Sequence, residues 1–154
     1  MAIHLIPKHD SAVIYRHHVV QKHLVEKHFP CFRCRLHKGV LTCVGDITPS
    51  EHCDTYRIEI RLDQGGVPMV RILEPRISPD VYRRVHIYRN GKLCLYDPRQ
   101  RPWSNRDNLH ETIIPWTAEW LVFYELFLIS GDWLGPEAPH GDQPKEPQDK
   151  AKTV

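Results

Sequence analysis

Tyr56-Arg57-Ile58-Glu59-Ile60-Arg61-Leu62 alternates apolar and charged residues without a break, and Asp63-Gln64-Gly65-Gly66 follows it. Successive side chains of a strand point to opposite faces, so Tyr56, Ile58, Ile60 and Leu62 form the buried face. Arg57, Glu59 and Arg61 form the wet one. The paired glycines read as a turn, since glycine enters left-handed backbone without steric cost. Residues 67–73 supply the next strand and residues 40–47 the preceding one, with Gly45 and Pro49 as turn residues near its end. After an irregular stretch marked by Pro75 and Pro79, residues 85–88 and 93–96 flank Asn90-Gly91 as a short hairpin or bend. Strands joined by short turns are antiparallel neighbours, which predicts a meander of about four strands.

Helices bracket this sheet. Residues 10–29 have Asp10 and Ser11 as cap candidates, an apolar line of Val13, Val20 and Leu24 widened by Ile14 and Val25, and Pro30 as a stop. Arg16, Lys22 and Lys27 make the polar face basic. From Asn108 onward, Trp116, Trp120, Phe123, Tyr124, Phe127 and Leu128 recur at spacings of three and four and read as core. Pro115 suits the first turn of that helical region and Ser130-Gly131 its end. The order predicts an α+β domain over residues 1–135, one sheet against helices. Residues 136–154 carry Pro136, Pro139, Pro144, Pro147 and many charges, and are expected to be a flexible tail.

The chain has 154 residues, 41% hydrophobic and 26% charged, which fits one soluble domain and excludes a mainly disordered or collagen-like chain. No apolar run reaches the ~18 residues of a spanning helix, so no membrane partner is expected. Residues 1–10 contain His4, Lys8 and His9 and no signal-peptide core, which predicts a cytoplasmic protein. Lys plus Arg is 21 against 19 Asp plus Glu, too even for a typical nucleic-acid binder. Six of eleven histidines, His4, His9, His17, His18, His23 and His28, precede residue 30 and read as a solvated helix surface. Their protonation would add charge below pH ~6.5.

Five cysteines, an odd count with no signal peptide, argue against a disulfide framework. Cys31-Phe32-Arg33-Cys34, flanked by His28 and His37, joins Cys43 and Cys53 as one possible tetrahedral zinc set. Against it, the second pair is not a CxxC, and Cys43 lies in an alternating strand with its side chain expected in the core.

The segment richest in chemistry is His86-Ile87-Tyr88-Arg89-Asn90-Gly91-Lys92-Leu93-Cys94-Leu95-Tyr96-Asp97-Pro98, with Trp103-Ser104 after it. Asn90-Gly91-Lys92-Leu93-Cys94-Leu95 and Trp103-Ser104 resemble the active-site region of ubiquitin-conjugating enzymes. The order of elements over roughly residues 10–135 is similar to that fold. Leu93-Cys94-Leu95-Tyr96, Trp120-Leu121, Tyr124-Glu125 and Gly131-Asp132-Trp133-Leu134-Gly135-Pro136-Glu137 resemble the stand-alone conjugating-enzyme-like proteins of bacterial CBASS anti-phage operons. The resemblance implies a UBC-like fold and an acyl-transferring enzyme with Cys94 as nucleophile. It implies no metal or organic cofactor.

One departure stands out. The family's His-Pro-Asn triplet puts an Asn eight residues before the cysteine, and here that position is His86. A histidine there donates an N–H to the oxyanion, or holds the loop through a backbone hydrogen bond, or is a plain surface residue. Asp97 is the nearest candidate for the family's acid beside the cysteine. A cysteine suits the chemistry because thiolates are strong nucleophiles and thioesters stay reactive enough to pass their acyl group on. The implied partners are a ubiquitin-like protein or a cGAS-like nucleotidyltransferase as the acyl donor, and a target lysine as acceptor. An activating enzyme would dock on the basic N-terminal helix. Two alternatives remain: a binding module of the same fold, and a zinc-stabilised domain built on Cys31, Cys34, Cys43 and Cys53.

Overall fold

The computed structural model describes residues 11–137. Asp10 and most of the predicted tail lie outside the described residues. Helix α1 (Ser11–His28) leads into strands β1 (Arg33–His37), β2 (Val40–Ile47), β3 (Tyr56–Leu62) and β4 (Pro68–Glu74). A 3-10 turn (Pro79–Val81) and an irregular segment then lead to helix α2 (Ile113–Ser130). The four strands pair antiparallel in the order β1-β2-β3-β4. The architecture is the predicted α+β one, with an N-terminal helix, a four-stranded antiparallel meander and a C-terminal helix compatible with a UBC-like fold.

The meander differs from the expected one at both ends. Its first member is β1, which the sequence pattern hides. Arg33, Arg35 and His37 face solvent and only Cys34 and Leu36 are half-buried, so little apolar signal marks this edge strand. Lys38 and Gly39 both take left-handed backbone, with φ of 48° and 74°, and close a two-residue hairpin between β1 and β2. At the other end, the expected hairpin around Asn90-Gly91 contributes no strand to the sheet. It contains a single bridge, Ile87 to Leu93.

Tyr56, Ile58, Ile60 and Leu62 are buried as their alternation requires, beside Leu41, Cys43 and Ile47 of β2 and Val70 of β4. Gly45 is not a turn residue. It lies inside β2 opposite Ile58, and an added Cβ would come within 2.5 Å of the Phe32 ring. A glycine there lets Phe32 lie against the strand.

Helix α1 corrects the sequence reading most. Val13 and Val20 are about half-exposed, and the buried positions are His18, Gln21 and Val25. Two polar residues thus occupy the inward face, so His18 is not part of a solvated surface. Gln21 explains its place by its bonds: Oε1 accepts from the Leu109 N–H at 2.8 Å, and Nε2 donates to Asn108 Oδ1 at 2.9 Å. The helix is thereby clamped to the segment that precedes α2.

In α2, Trp120, Tyr124 and Phe127 are core residues as expected, with Ile113, Ile114, Thr117 and Leu121 beside them. Leu128 is exposed, and Trp116 and Phe123 are only partly buried. Gly131 caps the helix at φ 79°, its N–H donating to Phe127 O at 2.8 Å. By length and composition α2 is apolar enough to cross a membrane, but its buried residues make it the core helix of this fold.

The zinc set does not assemble. Cys34 and Cys43 are cross-strand partners joined as a disulfide, a pairing the odd cysteine count did not anticipate. The Cys31 thiol donates to Asp46 O at 3.4 Å, and Cys53 Sγ lies 3.1 Å from Ser50 Oγ. Among the described residues, no three His, Cys, Asp or Glu side chains converge as a metal group.

Candidate active site

The segment around Cys94 is a tight bend built on main-chain bonds. The Tyr88 N–H donates to Lys92 O and the Gly91 N–H to Tyr88 O, both at 2.8 Å. The Lys92 N–H donates to Asn90 Oδ1 at 3.1 Å. Gly91 has φ 82°, so Asn90-Gly91 is the turn that the dipeptide predicts. The bend is anchored on the sheet, because the Leu93 N–H donates to Val70 O of β4 at 2.8 Å.

His86 and Cys94 meet through the backbone. The Cys94 N–H donates to His86 O at 2.9 Å. His86 adopts φ 56°, a left-handed conformation that non-glycine residues seldom take, and this turns its carbonyl toward the cysteine. Its ring packs against Trp133, centroid to centroid 5.2 Å. Trp133 also touches Trp120 and Phe123, so His86 is tied to the aromatic side of α2.

Cys94 is 8% exposed and lies where two concavities meet. The larger, about 260 Å³, is walled by Trp116, Trp120, Phe123 and Trp133, with Asp97, Glu119 and Glu137 among its polar lining. The smaller, about 120 Å³, is mostly apolar and includes Val70, Leu93, Trp103 and Ile113. Trp103 is buried and its indole N–H donates to Thr112 Oγ1 at 3.1 Å. The Ser104 N–H donates to Asp107 Oδ2 at 2.9 Å, which makes a turn after the Trp-Ser pair.

Two side chains that the sequence reading passed over reach the sulfur's surroundings. The Cys94 thiol donates to the Tyr88 hydroxyl oxygen at 3.3 Å. The Lys92 ammonium sits over the Tyr88 ring, 5.9 Å from its centroid. The bend's own period contains the signal: residues 88 and 92 pair across it, and 94 follows 92 by two, so all three share one face. Burial pushes the Cys94 thiol up, and Asp97 adds to this, while the Tyr88 hydrogen bond and the Lys92 charge pull it down. Burial and the bond to Cys94 push Tyr88 up to about 12. Burial holds Lys92 below the ordinary lysine range, against the opposing pull of Cys94 and Asp63.

A family model described as Type II CBASS E2 protein matches residues 21–141. The chain belongs to the Type II CBASS E2 family. Curated proteins give no match to it. Membership makes it a conjugating-enzyme-like component of anti-phage defence that works with other CBASS proteins. The match takes in the whole Cys94 bend, both concavities and α2, and begins at Gln21 within α1. In this CBASS E2, Asp97 lies in the larger cleft with Cys94, where its carboxylate also accepts the Arg99 N–H at 2.9 Å.

Proposed function

We propose that Cys94 forms a thioester with the C-terminus of a ubiquitin-like protein or of a cGAS-like nucleotidyltransferase, and transfers that acyl group to an amine. The observation that carries this reading is that Cys94 lines two clefts of different chemistry. The thiolate attacks the activated C-terminal carbonyl, the C–S bond forms and the donor's leaving group departs. A lysine amine then attacks the same carbon, the C–S bond breaks and the nitrogen loses a proton to solvent. Asp97, Glu119 and Glu137 give the larger cleft a negative lining that favours an approaching ammonium. The apolar smaller cleft suits the donor's terminal segment.

His86 acts in this scheme by holding the bend, through the carbonyl that receives the Cys94 N–H. Arg16 and Lys27 are exposed on α1 and support an activating enzyme docking there. The reading also places the protein in the cytoplasm, where its partners are made. A second reading, a binding module that scaffolds a partner, draws on the low exposure and raised pKa of Cys94.

The test is intact-mass spectrometry of the protein isolated from its native host under non-reducing conditions. A protein-sized adduct that dithiothreitol and hydroxylamine remove, and that Cys94→Ser lacks in labile form, supports the thioester. Hydroxylamine separates it from a disulfide. Absence of any adduct, with Cys94→Ala leaving phage resistance unchanged, moves the assignment to the scaffold.

A further inference from the structure

A buried cysteine needs a group that steadies its sulfur when it carries charge. Cys94 is 8% exposed, so water cannot do this freely. Among the described residues, the Tyr88 hydroxyl is hydrogen-bonded to that sulfur, at 3.3 Å. Its position is set by the main chain, since both the N–H and the C=O of Tyr88 are bonded within the bend. The Lys92 ammonium over the Tyr88 ring closes the other side of the group.

We propose that the Tyr88 hydroxyl is a catalytic residue: it donates a hydrogen bond to the Cys94 sulfur whenever that sulfur is negative. This deepens the thioester reading and rests on it for its catalytic meaning. In the resting protein the thiol proton points to the tyrosine oxygen. When the thiol loses its proton to solvent or to the incoming partner, the hydroxyl rotates and its O–H points to the sulfur. The thiolate then attacks the donor's carbonyl, and the forming C–S bond consumes the charge. When the amine displaces the acyl group, the electrons of the breaking C–S bond return to sulfur and the same O–H receives them. No proton leaves Tyr88 in either step.

Its chemistry fits that role. Burial and the bond to Cys94 hold the phenol up near 12, so it is a neutral donor throughout the working pH range. A neutral donor stabilises a thiolate without repelling an incoming ammonium, as a second cation would.

The experiment is the pH profile of Cys94 alkylation by iodoacetamide, followed on the Cys94 peptide by mass spectrometry in the full-length protein. This separates it from Cys31 and Cys53, which are also free thiols. Tyr88→Phe removes only the hydroxyl. It is expected to raise the midpoint by about half to one pH unit, or roughly three- to tenfold slower alkylation below the midpoint, with the high-pH plateau kept or raised. Site-specific replacement of Tyr88 by 3-fluorotyrosine, a stronger donor of the same shape, is expected to shift the midpoint down. A midpoint unchanged in both variants overturns the proposal, and a changed plateau alone marks a merely structural tyrosine. Alkylation needs no protein donor, so failure here leaves the adduct test of the thioester untouched. Failure of that test leaves the titration readable.

Discussion

Gln21→Met tests whether the polar clamp under α1 holds the fold around the site. Gln21 is 1% exposed and, besides a 3.4 Å contact to His17 Nε2 within α1, makes two long-range hydrogen bonds that span 87 and 88 residues. Methionine keeps the length and approximate volume but offers neither bond. The Leu109 N–H is then buried without a partner, which costs about 1–3 kcal/mol, and the lost bond to Asn108 costs about 1 kcal/mol more. Burying the more apolar methionine offsets about 1 kcal/mol of this. The net destabilisation is about 2 kcal/mol. With a urea slope of about 1–3 kcal/mol per molar for a chain of this size, the unfolding midpoint falls by about 1 M. Equilibrium urea denaturation followed by tryptophan fluorescence reads it directly. A loss under about 0.5 kcal/mol, the range of an ordinary surface substitution, would refute the clamp. The consequence for the site is indirect. The clamped segment leads to Thr112, which receives the Trp103 indole N–H, and to α2, whose Trp116 and Trp120 wall the cleft.

Gly45→Ala puts a Cβ within 2.5 Å of the Phe32 ring and 2.9 Å of its Cα, so it destabilises by about 1–3 kcal/mol in the same urea assay. An unchanged midpoint would show that Phe32 can yield. Lys92→Met removes a cation that favours the Cys94 thiolate, so alkylation of Cys94 at pH 8 slows about two- to fivefold. Faster alkylation would mean that Lys92 acts as a steric cover instead. His17, His18 and His110 are all held below the ordinary histidine range, chiefly by burial. The unfolded chain therefore takes up more protons than the folded one as pH falls below about 6.5. Stability is fully present above that value and is lost as pH drops toward the folded-state pKa values. The urea midpoint should be lower at pH 5.5 than at pH 7.5, and His18→Gln should weaken that dependence. A flat profile would contradict the burial of these rings.

Much of the candidate site was legible because it is local. Asn90-Gly91 is a turn by its own backbone preferences, and Cys94 follows it closely enough for sequence alone to place the two together. The family resemblance, which has an Asn at this place, marks His86, and it does meet Cys94, through its carbonyl. The acidic and aromatic cleft wall was not legible. Trp116, Trp120 and Phe123 lie more than 20 residues beyond Cys94 and read equally well as plain core. Only the placing of α2 against the bend turns all three to the cleft, with Trp120 also buried in the core and Trp116 and Phe123 half-exposed.

Local sequence settles the strands β2, β3 and β4, the alternation of β3, the two helices, the Asn-Gly turn and the glycine stop of α2, because each is a contest among residues a few positions apart. Tertiary structure decided what a short window cannot hold. Edge strand β1 forms because β2 offers it a partner, although its own residues are mostly basic and wet. His18 and Gln21 turn inward on α1, at the cost of leaving Val13 and Val20 half-exposed. For Gln21 the reason is on the far side of the chain: the Leu109 N–H and Asn108 must be paired once buried, and an apolar side chain cannot pair them.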